Sequence, residues 1–182
     1  MPRQKDVGER AHLPASAFAA LIPGDTLPAA LASFAVWANS TTNRLEVMRD
    51  VAFPLAGDMA AFLLLNQLIY RGAARPTDLA DAVEVSTSHV SKVVGRLEDA
   101  GLVQRAPDPT DQRAVVVGLT DDGREIGKRL LTRIDAYYDE LFSGWSASDR
   151  EELSRLVIKL AHSADAVAHH ALSRASGYDW SS

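Results

Sequence analysis

The stretch that decides the fold runs from Arg75 to Ile126 and reads RPTDLADAVEVSTSHVSKVVGRLEDAGLVQRAPDPTDQRAVVVGLTDDGREI. Its first part predicts a short helix over residues 77–83 and a tight turn at residues 84–85. Ser86 is a typical N-cap for a second helix, and Gly101 is suited to end that helix. Two short helices joined by so few residues form the helix-turn-helix pattern.

The second predicted helix, residues 87–100, has two contrasting faces. Apolar residues recur at positions i, i+3, i+4 and i+7 and are expected to face the core: Val90, Val93, Val94 and Leu97. The opposite face carries hydroxyl, imidazole and cationic side chains: Thr87, Ser88, His89, Ser91, Lys92 and Arg96. Such groups are suited to base edges and phosphates in the DNA major groove, and a helix N-terminus itself attracts phosphate. An ordinary solvated face is the alternative, but the preceding short helix and the hairpin that follows favour contact with DNA.

That hairpin is predicted directly after the second helix. Residues 102–106 and 114–119 are strand-like, and residues 107–113 form the loop between them. Arg113 on such a loop can enter a narrow A·T-rich minor groove, while Asp111 can fix its rotamer. The alternative is a surface Asp and Arg in a turn, yet a hairpin behind a helix-turn-helix has the arrangement of a wing. Arg105 on the first strand is expected to contact the DNA backbone.

Helices are predicted on the N-terminal side of this stretch. Residues 1–25 lack sustained periodicity and are interpreted as an arm. Apolar residues at alternating spacings of four and three then predict one amphipathic helix of about 22 residues, from Leu27 to Met48. Pro54 breaks the chain before residues 60–69, which are apolar on nearly every side and predict a helix buried in the core.

Two long helices are predicted on the C-terminal side. Thr120 is expected to cap the first, which runs to Gly144. Ser148 and Glu151 are expected to form a capping box for the second. One apolar stripe follows this last helix: Leu153, Leu156, Val157, Leu160, Ala161, Ala164 and Ala168.

Composition limits the possible classes of function. The chain has 182 residues, a formal net charge of −5 and no cysteine, which excludes disulfides, thiolate metal sites and cysteine nucleophiles. More than half of the Lys and Arg residues lie between residues 71 and 133, whereas the C-terminal third is acidic. The N-terminal region lacks a secretory signal pattern, and no apolar run is long enough to span a membrane. We therefore expect a cytoplasmic protein without a membrane partner.

Catalytic and metal-binding interpretations find no complete motif. No Ser/His/Asp set, glycine-rich phosphate loop or carboxylate pair occurs in a suitable context, so we expect neither an enzyme nor a cofactor. His162, His169 and His170 fall roughly on one side of the last predicted helix, near Asp165. A ligand set at helical spacing is incomplete, and we expect no metal site.

The stretch Arg75 to Ile126 resembles the winged-helix core of the MarR family of bacterial regulators. The matching elements are Leu79-Ala80, Val85-Ser86, Leu97-Glu98 with Gly101-Leu102, Asp111-x-Arg113, and Leu119-Thr120 with Gly123 beyond. The resemblance implies a mainly α fold with a small β-hairpin wing, an α+β winged helix-turn-helix. It also implies a transcriptional regulator, by family resemblance a repressor, that binds a near-palindromic double-stranded DNA operator as a homodimer.

The resemblance assigns a role to each part of the chain. Residues 57–119 would form the DNA-binding domain, and residues 26–56 with residues 120–173 the helical dimerisation region, between the arm at 1–25 and a tail at 174–182. The helix from Thr87 would be the recognition helix, Arg113 the wing arginine in the minor groove, and Asp111 its partner.

Two questions stay open at the level of sequence. Family members often bind small aromatic or phenolic effectors, and Phe34, Trp37, Met48 and Phe62 can line a pocket for one, although core packing is the simpler account of these residues. The net negative charge leaves an alternative function, a winged-helix small-molecule-binding or protein-interaction module that does not bind DNA.

Overall fold

The computed structural model describes residues 24–111 and 113–180. Within them lie eight helices and one two-stranded antiparallel sheet. The helices are α1 (Leu27–Ala38), α2 (Thr41–Asp50), α3 (Met59–Arg71), α4 (Pro76–Ala82), α5 (Thr87–Asp99), α6 (Asp121–Leu141), α7 (Ala147–Val167) and α8 (Ala171–Ser176). The strands are β1 (Val103–Pro107) and β2 (Val115–Leu119). The predicted mainly α fold with a β-hairpin wing is therefore confirmed, while the predicted arm at 1–25 lies almost entirely outside the described residues.

The chain divides into two compact units, one ending at Ser40 and the other beginning at Thr41. The described part of the first unit is dominated by α1, which has Pro28 in its first turn and no charged residue. The prediction of a single helix from Leu27 to Met48 is wrong at residues 39–40. Both the backbone N–H and the side-chain amide of Asn39 donate to the Ala35 carbonyl, at 3.1 and 2.8 Å, and so close α1.

The second unit is built around one apolar core. Its largest fully buried apolar side chains are Val51, Leu64, Leu65, Leu68, Leu79, Val90, Val93, Val94, Leu97 and Val117. Burial of each such side chain contributes roughly 1.5–3 kcal/mol, so α3, α4, α5 and the sheet are held together mainly by this cluster. Met48, Val51 and Phe53 belong to the same cluster, which means that residues 41–56 pack with the winged domain.

Helix caps place the long helices. The Thr120 hydroxyl accepts from the Gly123 backbone N–H at 3.1 Å and begins α6, as predicted. The predicted Ser148–Glu151 capping box is wrong, because α7 begins two residues earlier. The Ser146 hydroxyl accepts from the Asp149 N–H at 3.1 Å and donates to the Asp149 carboxylate at 2.6 Å, so the equivalent serine–acid pair upstream forms the cap.

The C-terminal residues are folded rather than an extension of α7. α7 ends before His169 and His170, whose φ angles of 50° and 64° reverse the chain into α8. The guanidinium of Arg71 on α3 donates to the carbonyls of Arg174 and Ala175 at the end of α8, the latter at 2.8 Å. Much of the segment predicted as a tail thus packs against the winged domain.

Candidate nucleic-acid interface

α5 is anchored along one side and exposed along the other. The side chains of Val90, Val93, Val94 and Leu97 are at most 2% exposed. Thr87, Ser88, His89, Ser91 and Lys92 are exposed on the opposite side. The geometry predicted for this helix is thus present, because its apolar stripe is buried and its polar face is open to solvent.

The N-terminal turn of α5 leaves most of its polar groups available. The Ser86 hydroxyl caps the helix by accepting from the His89 N–H at 3.2 Å, and the Ser91 hydroxyl donates to the Thr87 carbonyl at 2.9 Å. Within residues 24–111 and 113–180, the side chains of Ser88, His89 and Lys92 make no hydrogen bond or ion pair. These three groups can therefore bind a ligand without breaking an internal contact.

The turn between α4 and α5 fixes the relation of the two helices. Glu84 has a φ angle of 54°, a left-handed conformation that a tight turn requires, and the Val85 N–H donates to the Ala80 carbonyl at 3.0 Å. Leu79 and Ala80 anchor α4 in the core. The predicted turn at residues 84–85 is confirmed, and it holds α5 in a helix-turn-helix arrangement.

The hairpin behind α5 is a regular two-stranded ladder with a closed loop. β1 and β2 pair from Val103 opposite Leu119 to Pro107 opposite Val115. The Asp108 N–H donates to the Ala114 carbonyl at 2.9 Å and closes the loop between the strands. This hairpin is the predicted wing, with strand bounds shifted by one residue.

A buried carboxylate organises the wing loop. Asp108 is 6% exposed, and its Oδ1 accepts from the backbone N–H and the hydroxyl of Thr110, at 2.8 and 2.7 Å. Its Oδ2 accepts from Nε of Arg75 at 2.8 Å and lies 2.7 Å from Nη2. The Thr110 hydroxyl, the Thr110 amide and then Arg75 hold the pKa of Asp108 well below its ordinary value, so this carboxylate stays charged.

Sequence reasoning missed Arg75 and Asp108. An Asp two residues before Thr110 is a signal for a side-chain-closed turn, and it could have singled out Asp108. Arg75 lies far away in sequence, and no local pattern indicates its pairing.

Arg113 lies in the wing loop, with its side chain exposed. Its guanidinium has no partner among the residues that the structure describes. The expected pairing of Asp111 with that guanidinium is not what the structure has. Asp111 accepts from the Arg113 backbone N–H at 3.1 Å and its Oδ2 lies 3.9 Å from Arg75, so Asp111 shapes the loop and leaves the Arg113 side chain open.

Two further cations predicted to contact DNA are held in ion pairs. Arg96 binds Asp58, the N-cap of α3, through Nε–Oδ2 and Nη2–Oδ1 distances of 2.6 and 3.1 Å. The hydrogen bond from Arg96 keeps the pKa of Asp58 below its ordinary value despite partial burial. Arg105 pairs with Glu98 at 2.8 Å. Both arginine side chains are 44% exposed, which leaves N–H donors free to meet a phosphate.

The residues considered for an effector pocket lie in different environments. Met48 and Phe62 are buried in the core, where Phe62 packs edge-on against Phe53 with 5.4 Å between ring centroids. Phe34 and Trp37 lie on α1, in the other compact unit, and are exposed. The described residues form two surface grooves, of about 330 and 530 Å³, and none of these four side chains lines either groove.

The histidines near the C-terminus stabilise the chain reversal after α7. Nδ1 of His170 lies 2.9 Å from Oδ2 of the buried Asp165, and Nδ1 of His162 lies 2.7 Å from the Trp180 carbonyl. The described ranges contain no group of three or more His, Asp or Glu side chains that could hold a metal ion. Nor does any helix in them have the length and apolar character needed to cross a membrane.

Comparison with known proteins identifies the family. Residues 58–115, which contain α3 to α5, β1 and the whole wing loop, match the model of the MarR family. Residues 58–115 are a winged helix-turn-helix domain of the MarR family, a family of DNA-binding, non-enzymatic transcriptional regulators.

Similar proteins agree with this assignment. The chain is 27% identical over 123 residues to YxaD, an uncharacterized HTH-type transcriptional regulator of Bacillus subtilis, covering 66% of this chain and 86% of the relative. The crystal structure of wild-type MarR from E. coli, in its apo form, superposes with a TM-score of 0.52 at 22% identity, covering 78% of this chain and 98% of that one. The PcaV transcriptional regulator of Streptomyces coelicolor, solved in complex with its natural ligand, gives a TM-score of 0.50 at 22% identity, covering 80% and 99%. At these identities the two structures support the MarR fold.

Proposed function

We propose that this MarR family protein is a homodimeric repressor that binds a near-palindromic operator in double-stranded DNA through α5 and the wing. The observation that carries the proposal is the exposed face of α5, where Ser88, His89 and Lys92 lack internal partners among the described residues. Its groups match the chemistry of the major groove, which offers donors, acceptors and methyl groups at base edges and phosphates at its rim.

The N-terminal turn of α5 supplies sequence specificity. Thr87, Ser88 and His89 stand at the end of the helix that enters the groove first in helix-turn-helix proteins. Ser91 and Lys92 follow one turn later, where Lys92 is expected to neutralise a phosphate. The positive end of the helix dipole adds to the attraction for the DNA backbone.

The wing and the ion-paired arginines supply affinity around this contact. Arg113 is expected to enter the adjacent minor groove, where negative potential is strongest in A·T-rich sequence. Arg105 is paired with Glu98, and Arg96 is paired with Asp58. Each arginine would donate its remaining N–H groups to a DNA phosphate. Asp111 serves by shaping the loop, since a carboxylate cannot itself bind phosphate.

A second copy of the chain is the partner that the helices support. Large apolar side chains are exposed on α7 at Leu156, Val157, Ile158, Leu160 and Val167, and on α1 at Leu27, Leu31, Phe34, Val36 and Trp37. Exposed apolar surface of this extent is typical of an interface. A two-fold dimer would set two copies of α5 about 34 Å apart, one helical turn of B-DNA, and hence require an inverted-repeat operator.

Regulation by a small effector follows from the dimer. A ligand that binds a wider separation of the two wings better than the separation that fits B-DNA lowers DNA affinity. PcaV, a protein of the same fold, was solved in complex with its natural ligand, which supports regulation by a bound ligand. By resemblance to the family, a small aromatic or phenolic molecule is our candidate class. The cytoplasm, where the DNA lies, is the proposed compartment.

A gel shift with the DNA upstream of the protein's own gene tests the proposal. We expect binding that weakens at least tenfold between 50 and 200 mM salt, because several phosphate contacts release counterions. Lys92→Ala should weaken binding, while Lys128→Ala, which removes an exposed lysine from α6, should not. Equal effects of the two variants, or no binding by the wild type, would favour the alternative of a module that does not bind DNA.

Sedimentation velocity tests the dimer separately. We expect a species of twice the chain mass for the wild type. Replacing Leu156 and Leu160 by Lys should shift the protein to monomer, whereas a monomeric wild type would contradict the two-fold model.

A further inference from the structure

The wing is attached to the rest of the domain at two points. At the middle of β2, Ala74 and Val117 exchange two backbone hydrogen bonds of 3.0 and 2.8 Å, which add residue 74 to the edge of this strand. At its loop, the guanidinium of Arg75 binds Oδ2 of Asp108 through both Nε and Nη2. Neighbouring residues 74 and 75 therefore hold the hairpin at the middle of a strand and at its loop.

The Arg75 contact reaches the interior of the loop. Both oxygens of Asp108 are occupied, one by Thr110 and the other by Arg75, and the Asp108 N–H donates to Ala114. Because Asp108 is buried, loss of Arg75 would leave a buried carboxylate without its cation. The loop would have to open in order to hydrate this carboxylate.

Arg75 also faces the second carboxylate of the loop. Its Nη2 lies 3.9 Å from Oδ2 of Asp111, whose Oδ1 accepts from the backbone N–H of Arg113. One guanidinium thus offsets the charge of both loop carboxylates, directly beside the residue whose side chain is open. Without Arg75, two negative charges would stand uncompensated next to the DNA phosphates.

We propose that Arg75 is a positioning residue for DNA binding, which acts by holding the wing loop so that Arg113 meets the minor groove. This inference rests on the proposed DNA-binding function and deepens it. Arg75 contacts Asp108 and Asp111 and is not expected to contact a DNA phosphate. It contributes to DNA affinity only by keeping Arg113 in position.

A double-mutant cycle of Arg75→Ala and Arg113→Ala tests whether Arg75 acts through Arg113. The affinity of each variant for a DNA duplex that the wild type binds is measured by fluorescence anisotropy. If Arg75 acts through Arg113, each single variant loses about 5- to 150-fold in affinity, and the double variant is within about twofold of the weaker single variant. Losses that multiply in the double variant would show that Arg75 acts independently of Arg113, and would overturn the inference.

Three comparisons separate positioning from simple charge loss or misfolding. Arg133→Ala is the matched control, since it breaks another half-exposed arginine–aspartate pair, with Asp50, outside α5 and the wing. It should leave affinity unchanged. Arg75→Lys, which keeps the charge but makes a one-point contact, should recover part of the lost affinity. If Arg75→Ala fails to fold, Arg75→Gln takes its place in the double-mutant cycle with Arg113→Ala.

Hydrogen exchange on the DNA-free protein distinguishes failure of this inference from failure of the proposed function. Arg75→Ala should speed exchange at the amides of Thr110 and Ala114 while leaving Val93 in α5 unchanged. Unchanged exchange at Thr110 and Ala114 would overturn the positioning role. A different result is possible: the wild type binds no DNA, but exchange at Thr110 and Ala114 is faster in Arg75→Ala, as expected. In that case the proposed DNA-binding function would be wrong, and Arg75 would still hold the wing loop in place.

Discussion

Arg96 in the last turn of α5 and Asp58 at the start of α3 form a two-point ion pair, with contacts of 2.6 and 3.1 Å. Asp58 is at the same time the N-cap of α3, accepting from the Ala61 N–H at 3.1 Å. One carboxylate therefore stabilises the end of a core helix and ties the proposed recognition helix to it. The orientation of α5 depends on this pair as well as on its buried valines.

Asp58→Ala should destabilise the protein more than Arg96→Ala. The arginine variant loses an ion pair whose arginine side chain is 44% exposed, which is worth at most about 1 kcal/mol. The aspartate variant loses the same pair and also the helix cap, worth about 1 kcal/mol more. Urea unfolding of the two variants measures the difference, and equal destabilisation would contradict the double role of Asp58.

Arg113→Ala should weaken DNA binding without lowering stability. Its guanidinium has no partner in the described part of the chain, so its removal costs nothing in the free protein. In the complex we expect a loss of about 1–3 kcal/mol and a salt-dependence slope smaller by about 1. Anisotropy titrations at several salt concentrations measure both, with Arg133→Ala as the control, and wild-type affinity would assign Arg113 to the solvated surface.

Alanine should have opposite effects at two helical glycines. A Cβ on Gly123, in the first turn of α6, would lie 2.0 Å from the Leu102 carbonyl oxygen. That oxygen also accepts from the Thr120 N–H, so it cannot move away without breaking a second contact. We expect Gly123→Ala to cost about 2–3 kcal/mol.

Gly95 is the matched control for this effect. A Cβ there meets nothing within 4 Å, and α5 should gain up to about 1 kcal/mol from alanine. Thermal unfolding of both variants tests the close approach of α6 to the residue before β1. A tolerated Gly123→Ala would contradict it.

Asp165→Asn should remove part of the acid sensitivity of the fold. Burial alone raises the pKa of Asp165, but hydrogen bonds from the Ser173 amide, from His170 and from the Ser173 hydroxyl outweigh burial, so its pKa lies below the ordinary value. A lowered carboxyl pKa stabilises the fold above the unfolded-state value, about 3.9, and that contribution is lost as the pH falls through the folded-state pKa.

Urea unfolding between pH 7 and pH 3 measures this effect. The variant should be less stable than the wild type at neutral pH, and the two should converge in acid. Asp135→Asn, at an exposed position on α6, should behave like the wild type throughout. A difference between wild type and Asp165→Asn that stayed constant with pH would show that the carboxylate charge is not what stabilises the chain reversal at His170.

Local patterns were sufficient for much of the fold. Ser86 and Thr120 cap α5 and α6 as predicted, because an N-cap depends on the side chain and the three residues after it. The valine spacing of α5 likewise defined its buried side. Where two equivalent caps competed, as at Ser146 and Ser148, the sequence pattern alone did not distinguish them.

Contacts between distant residues could not be predicted in the same way. The pairs Arg75–Asp108 and Arg96–Asp58 join elements whose separation only the folded chain defines, and Arg71 reaches the end of α8 across the sequence. The break at Asn39 was missed because apolar spacing continues through a polar residue that closes the helix with its own side chain. The exposure of the polar face of α5 could be predicted from the sequence. The sequence did not show which of its cations form ion pairs with distant carboxylates and which do not.

Selection of bound sequences from a random double-stranded DNA pool tests the central claim most directly, that α5 and the wing of two copies bind DNA together. We predict enrichment of an inverted repeat whose half-sites are centred about 10 base pairs apart, with A·T-rich flanks where Arg113 lies. A pool that shows no enriched sequence after repeated rounds, while the protein remains folded, would contradict the account.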